Sequence, residues 1–361
     1  MSFTDVKREE IKSYILRKID LNDSRFIEKT MDSFGISVTT AKRYIKDLIL
    51  ANIIEENKES LSGYALVTYK KSFSFNMKNV KDENDIFFDY ILPELNGINE
   101  NARYIWQYST AEMLNNALEH SMGKRLWIYV ARNYLYSEVF IHADGVGVFN
   151  SLCEYMKKNA WENPSKEDAL VELMKGKITR DSMNHSGEGI FFTSKMVDSF
   201  SLLSDDLILK MGCDQEIEVQ KSHLLKYYTA LNGIGTIVGL RLENETNRKS
   251  MEVFNMYTDV DEGFVKTSIL VKEACVKGEP VARSQARRIC TRLEEFKEVI
   301  LDFSGVEFMG QGFSDELFRI FARENPSVIL SPIHMNAGVY RMIKHVGRGN
   351  LPENVILEDT K

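Results

Sequence analysis

The chain has 361 residues, 43% of them apolar and 27% charged, and at roughly 150 residues per domain it should build two or three domains with separate cores. No run approaches the ~18 to 20 apolar residues of a membrane span, and the opening MSFTDVKREE is too polar for a secretory signal, so we expect a cytoplasmic chain without a membrane partner. A formal charge of -7 opposes general affinity for nucleic acid, but residues 1–71 hold 13 Lys and Arg against 11 Asp and Glu, which places any DNA-binding surface near the N-terminus.

In VKREEIKSYILRKI, Ile11, Ile15 and Ile19 recur at helical spacing; RFIEKTMDSFG is a shorter helix that stops at Gly35; ISVTTAKRYIKDLILANII starts a third after a Ser37 cap. IIEENKESLSGYALV follows as a hairpin. Two helices joined by a glycine-containing turn and followed by a hairpin resemble the winged helix-turn-helix of bacterial regulators, and we assign residues 1–71 to such a domain. The resemblance implies DNA as a partner and puts Thr39, Thr40, Lys42, Arg43 and Lys46 on the exposed side of the recognition helix, where hydroxyls and cations meet phosphates and base edges. A winged helix used for protein contacts is the alternative, and Asp47 with Glu55, Glu56 and Glu59 weighs on its side.

The stretch AEMLNNALEHS carries Glu112, Asn116 and His120 at four-residue intervals, so a helix would align a carboxylate, an amide and an imidazole on one stripe beside apolar Met113, Leu114, Ala117 and Leu118. LWIYVARNYLYSEVFIHADGVGVF then alternates as two strands ending in a glycine turn, HSGEGIFFTSKMVDSF has a second glycine turn leading into a helix, and NGIGTIVGLRL is a last Gly-Thr strand. Any one of these alone is a common tight turn. Four in this order resemble the GHKL (histidine kinase-like) ATPase family with its Bergerat fold, which takes in DNA gyrase, histidine kinases and anti-sigma-factor serine kinases. We assign residues 72–258 to a GHKL α/β sandwich, a mixed sheet with helices on one face.

The resemblance implies Mg-ATP as cofactor. Asn116 corresponds to the magnesium ligand, a hard amide oxygen completing an octahedral ion held by phosphate oxygens. Glu112 corresponds to the carboxylate that orients or deprotonates attacking water. His120 falls where many kinase-like members carry a His, for nucleotide binding or a structural hydrogen bond. Gly145 and Gly147 match the first glycine box beside adenine, Gly187 and Gly189 the second beside phosphate, and Thr236 the hydroxyl supporting the adenine pocket. Residues 150–186 have the length and polarity of the lid over the nucleotide.

One position departs from the family. Its first box reads Asp-x-Gly-x-Gly, and the Asp accepts from the adenine amine; here that position is Ala143, with Asp144 one residue away and, on a strand, directed to the opposite face. Loss of that bond would weaken nucleotide binding by about 1.5 to 3 kcal/mol. Weakened binding, a degenerate site and an introduced replacement of Asp are all compatible with it.

Downstream, FVKTSILV, EVILDFSGVEFM and SVILSP read as strands and SQARRICTRLEEF, GFSDELFRIFA and NAGVYRMIKHV as helices, the alternation of a small sheet covered by helices. VILDFSGVEFMGQGFSDELFRIF resembles STAS domains, most closely a STAS-like domain of unknown function, and we assign it residues 259–361. Where signalling STAS domains start a helix with a phosphorylatable Ser, this chain has Gly310, Gln311 and Gly312, with Ser314 displaced, so a fixed docking domain for a protein partner is expected. Cys153, Cys213, Cys275 and Cys290 are scattered without a CxxC pair and should be free thiols. Read together, the chain is an α/β multidomain regulator or defence-type protein that couples DNA binding to ATP binding or hydrolysis; a homodimer is open. Two other readings stand beside it: an anti-sigma-type serine kinase with its STAS-like partner fused, and a nucleotide-free binding module.

Overall fold

The computed structural model describes residues 4–159, 161–177, 188–212, 217–275, 278–347 and 350–357. The Thr4 hydroxyl accepts from the Lys7 amide and starts α1 (Asp5–Asp20), whose buried stripe is Ile11, Ile15, Leu16 and Ile19. α2 (Phe26–Phe34) ends at Gly35, which takes the left-handed φ of +62° that a side chain would disfavour. Ser37 then caps α3 (Val38–Leu50) by accepting from the Thr40 amide at 3.2 Å. The antiparallel pair β1 (Ile54–Glu56) and β2 (Tyr64–Leu66) follows, and these elements share a hydrophobic cluster of their own around Ile15, Phe26, Ile45 and Leu48.

The middle of the chain is built on a seven-stranded sheet. β3 (Tyr69–Asn76) leads into α4 (Glu83–Ile86), a π turn over Phe87–Ile91, and the long α5 (Glu100–His120). β4 (Arg125–Arg132) and β5 (Tyr136–Ala143) precede α6 (Val148–Lys158), α7 (Lys166–Lys175) and α8 (Gly189–Met196). β6 (Ser199–Ser204), β7 (Leu207–Gly212), β8 (Ile217–Lys221), α9 (His223–Leu231) and β9 (Thr236–Glu243) complete it in the order β3-β4-β5-β9-β6-β7-β8. Every neighbouring pair is antiparallel, which corrects the expected mixed sheet. β5 and β6 do run the same way, but β9 lies between them and pairs with both in the opposite sense.

Alternation sets the faces of this sheet. Ser137, Val139, Ile141 and Ala143 of β5 are buried, while Tyr136, Glu138, Phe140 and His142 point to the other side. Trp106 of α5, Phe149 of α6, Phe192 of α8 and Phe200 of β6 are fully buried in the core. α9 is the exception to amphipathic burial, because only Thr229 is buried while Leu224, Tyr227, Tyr228 and Leu231 face solvent.

α10 (Ser250–Tyr257) and a small hairpin, β10 (Thr258–Asp259) with β11 (Gly263–Phe264), lead to the last unit. β12 (Lys266–Leu270), α11 (Val271–Ala274), α12 (Arg283–Cys290), β13 (Glu298–Asp302), α13 (Gln311–Asp315) with a π turn over Glu316–Phe321, α14 (Ala322–Glu324), β14 (Ile329–Ile333) and α15 (Ala337–Val346) follow the expected strand-helix alternation. The three strands are parallel, in the order β12-β13-β14.

The two flanking units meet the central one through different chemistry. α1 reaches the sheet through Arg17, bidentate on Glu243 at 2.5 and 3.1 Å, and through Asp20, which accepts from Arg241 at 3.1 Å and from the Tyr136 hydroxyl at 2.9 Å. The C-terminal unit instead grips α7. Lys175, 1% exposed, pairs with buried Glu172 and donates to the Thr291 carbonyl; Arg288 pairs with Asp168; and the Thr267 hydroxyl donates to the Lys175 carbonyl at 2.9 Å. Burial pulls the Lys175 amine down and pushes the Glu172 carboxyl up, each opposed by the charge of the other.

Among the described residues no helix is long and apolar enough to cross a membrane. Cys153, Cys275 and Cys290 are free thiols, and burial pushes Cys275 and Cys290 up to about 12, so neither supplies thiolate at neutral pH; Cys213 lies outside the described residues.

Lys195, in the last turn of α8, faces a small cavity lined by Leu173, Met174, Phe191, Met211 and Leu270 at the junction with the C-terminal sheet. Burial lowers its amine from 10.5 to about 8, against the attraction of Asp302. Below pH 8 the folded chain therefore carries a charged amine in poor solvent, and this penalty fades as pH rises from 8 towards the unfolded value of 10.5. Lys195→Met should be more stable than the parent at pH 7 by on the order of 2 kcal/mol, with the gain gone near pH 10.5. Paired thermal melts across that range check it.

Candidate functional site

α5 starts at Asn99, whose side chain accepts from the Ala102 amide at 2.8 Å, and its apolar face buries Ile105, Trp106, Met113 and Leu114. Glu112, Asn116 and His120 lie half-buried along its last two turns, on the stripe their spacing predicts. One turn earlier, burial first and then the charges of Glu112 and Glu188 push the Tyr108 phenol far above its ordinary range. Glu188 precedes α8, so a tyrosine and two carboxylates meet where α5 faces α8.

Gly189 is the first residue of α8, and a Cβ there would overlap the Glu112 carboxylate. A larger residue there would have to push the Glu112 carboxylate aside. The contact puts a negative charge at a helix N-terminus, where it is favourable. Gly187 lies outside the described residues.

The turn after β5 is a second close approach. Gly145 takes φ +114° and Gly147 φ +80°; a Cβ on Gly145 would run into the Ser121 carbonyl at the end of α5, and one on Gly147 would lie 2.8 Å from the Gly235 carbonyl. The Val146 amide donates to the Ser121 carbonyl at 2.9 Å, and the Gly235 amide to the Ala143 carbonyl at 3.1 Å. Gly123 and Gly235, flanking the same turn, have backbone of residues 143–145 where their Cβ atoms would be. Sequence reasoning noted Gly235 only as the glycine of the Gly-Thr strand and passed over Gly123, although SMGKR shows it.

Ala143, fully buried, is paired directly with Thr236 across β5 and β9, so the two side chains stand side by side on the helix-covered face. The Thr236 hydroxyl accepts from the Val148 amide at 3.0 Å and thereby caps α6, whose own N-cap residue is the side-chain-free Gly147. Asp144 points elsewhere. Its Oδ1 accepts from the Lys124 and Arg125 amides at 2.6 and 2.9 Å and pins the turn between α5 and β4, so it does not stand in for a carboxylate at position 143.

The turn carrying Gly145 and Gly147 thus lies against Ser121 at the end of α5 and beside the Ala143–Thr236 pair, while Gly189 lies against Glu112 further back on the same helix, with Asn116 and His120 on the stripe between Glu112 and Ser121. No group of three or more His, Cys, Asp or Glu side chains suited to a metal occurs among the described residues. A magnesium ion here would have the Asn116 amide from the protein and would need most ligands from a bound phosphate, which is the donor set of a metal-nucleotide complex.

The segment 150–186 holds α6 and α7, and of α7 Leu170, Val171, Glu172, Leu173, Met174 and Lys175 are buried. α7 is a strut between the central and C-terminal units; residues 178–186 of the expected lid lie outside the described residues. On α3, Thr39, Lys42, Arg43 and Lys46 are exposed and Thr40 is half-buried, its hydroxyl 3.1 Å from that of Ser37. Among the described residues none of those three cations is paired with a carboxylate.

A family profile described as a STAS-like domain of unknown function (DUF4325) matches residues 285–340, from α12 into α15. No curated protein matches the chain. Within the matched stretch Ser314 is 0% exposed.

Gly147→Ala should cost at least about 2 kcal/mol, since it adds a left-handed penalty to an overlap with fixed backbone. Urea titration of the variant reads the loss directly, and a midpoint equal to the parent's would mean that this turn relaxes freely.

Proposed function

We propose that the chain is a cytoplasmic regulator whose central unit is a GHKL-type domain binding Mg-ATP, whose N-terminal unit is a winged helix binding DNA, and whose C-terminal STAS-like domain is a docking module. The packing of the Gly145–Gly147 turn on the end of α5 and of Gly189 on Glu112 of the same helix carries the nucleotide reading. Residues distant in sequence meet there, and the close backbone passages are of the kind that lets main-chain amides approach a phosphate or base. In this reading Asn116 holds magnesium with the phosphate oxygens, Glu112 orients water, and Ala143 and Thr236 line the adenine pocket. The exposed residues Thr39, Lys42, Arg43 and Lys46 on one side of α3, whose three cations pair with no carboxylate among the described residues, support DNA as the partner of the N-terminal unit. The sealed position of Ser314 weighs against a serine kinase acting on its own fused STAS-like domain.

Calorimetric titration of Mg-ATP tests the reading. Asn116→Ala should abolish magnesium-dependent binding while Glu112→Ala keeps binding and removes any turnover. Ala143→Asp adds an acceptor for the adenine amine and should tighten ATP, but not GTP, by roughly ten- to a hundredfold. Heats that are absent in the parent and in Ala143→Asp alike would overturn the nucleotide reading.

For the N-terminal unit, Lys42→Ala with Arg43→Ala should weaken DNA binding and flatten the dependence of log K on log salt by roughly one to two units, since each lost phosphate contact releases fewer counterions. An unchanged midpoint and slope would assign the helix to protein contacts.

A further inference from the structure

The face of the seven-stranded sheet opposite the helix-covered one carries a cavity of about 360 Å³, within the size range of small-ligand sites. Its floor and rims come from one row across the strands: Lys70 of β3 pairs with Ala131 of β4, Ala131 with Glu138 of β5, and Glu138 with Arg241 of β9. Directly paired residues share a face, so Lys70 and Glu138 stand about 10 Å apart at the backbone with only a methyl group between them. Tyr136 and Phe140, two residues either side of Glu138, and Tyr129, paired with Phe140, add three rings to the lining.

Both charges on the rims are open. Among the described residues neither the Lys70 nor the Glu138 side chain makes an ion pair or a hydrogen bond, although Glu138 is half-buried. The cation placed to neutralise Glu138 is Arg241, directly across the β5–β9 ladder, but its guanidinium lies 3.3 Å from the Tyr136 ring centroid and donates to Asp20 of α1 at 3.1 Å. A half-buried carboxylate among aromatic rings favours a cation, which the ring faces also attract. Lys70, on the other rim, favours an anion. A simple anion would be repelled by Glu138 and a simple cation by Lys70, so the cavity suits a molecule that bears both charges, with an apolar remainder against the rings.

We propose that this cavity binds a small zwitterion of the free amino acid class, its ammonium on Glu138 and its carboxylate on Lys70, and that occupancy tightens the junction with the N-terminal unit. The second half follows from Arg241. Without a ligand, Glu138 competes with Asp20 for that guanidinium. With an ammonium on Glu138 the competition ends and Arg241 stays on Asp20, beside the Tyr136 hydroxyl that donates to the same carboxylate at 2.9 Å. The site lies on the opposite face of β5 from Ala143 and is independent of the nucleotide reading.

Calorimetric titration of the full chain with each of the common free amino acids tests the proposal. At least one should bind, and its methyl ester, which lacks the carboxylate, and its N-acetyl form, which lacks the ammonium, should each bind about tenfold more weakly or worse. Glu138→Gln and Lys70→Met should each weaken the free amino acid to a similar extent. The methyl ester should bind Lys70→Met no worse than the parent, which separates a lost charge contact from a damaged fold. Amide exchange over the last turn of α1 should slow when the amino acid is bound to the parent, and should not slow in Arg241→Gln. No binding by any amino acid, or binding that the ester and the N-acetyl form match, would overturn the site. A bound amino acid that leaves exchange in α1 unchanged would overturn the coupling to the N-terminal unit.

Discussion

Two stretches of backbone at the end of β5 pass so close to their neighbours that nothing larger than a hydrogen fits, and the arrangement around α5 depends on this. Gly145 lies on the Ser121 carbonyl and Gly147 on the Gly235 carbonyl, while Gly189 allows α8 to begin on the Glu112 side chain. A side chain at Gly145 would push the turn off the end of α5 and one at Gly147 would push it off the Gly235 carbonyl, whereas at Gly189 it would displace the Glu112 carboxylate. Thr236 completes the junction by capping α6 in place of a residue that has no side chain to do so.

The second determinant is ionic and buried. Lys175 and Glu172 lie within one turn of α7, yet the Lys175 amine is satisfied from the neighbouring unit, by the Thr291 carbonyl. Arg292 reaches Glu172 at 3.5 Å from that unit, and Lys177 donates to the Glu295 carbonyl at 2.6 Å beneath the Phe296 ring. Withdrawing α7 would carry the Lys175–Glu172 pair away intact but break the Lys175 bond to the Thr291 carbonyl and the Arg288 and Arg292 contacts across the junction. Such pairs add little net stability over apolar residues of the same shape. Their effect is to admit one register of α7 against the C-terminal sheet.

Local chemistry was legible in the sequence wherever one residue decided the outcome. Gly35 and Ser37 mark the turn between α2 and α3, and the four-residue spacing of Glu112, Asn116 and His120 places them on one stripe. The slip of Asp144 was legible too, because strand alternation sends neighbours to opposite faces; its hydrogen bonds to the Lys124 and Arg125 amides were not. What stayed hidden was tertiary. Lys175 sits in a polar, charged stretch and reads as solvated until the last unit covers it. Lys70 and Glu138 share no motif, and their common row follows from the antiparallel register that sets Ala131 between them. The antiparallel sheet was missed because strand direction depends on how β9 inserts between β5 and β6, which no local pattern encodes.

The two junctions of the central unit respond differently to the ionic atmosphere. The ion pairs and tyrosine contacts that hold α1 to β5 and β9 are partly exposed, so their attraction fades as the Debye length shrinks from about 10 Å at 0.1 M salt to about 3 Å at 1 M. The pair under α7 is shielded from counterions by the protein around it. Concentrated salt would thus strip the N-terminal junction down to its apolar contact at Leu135 while leaving the junction under α7 intact.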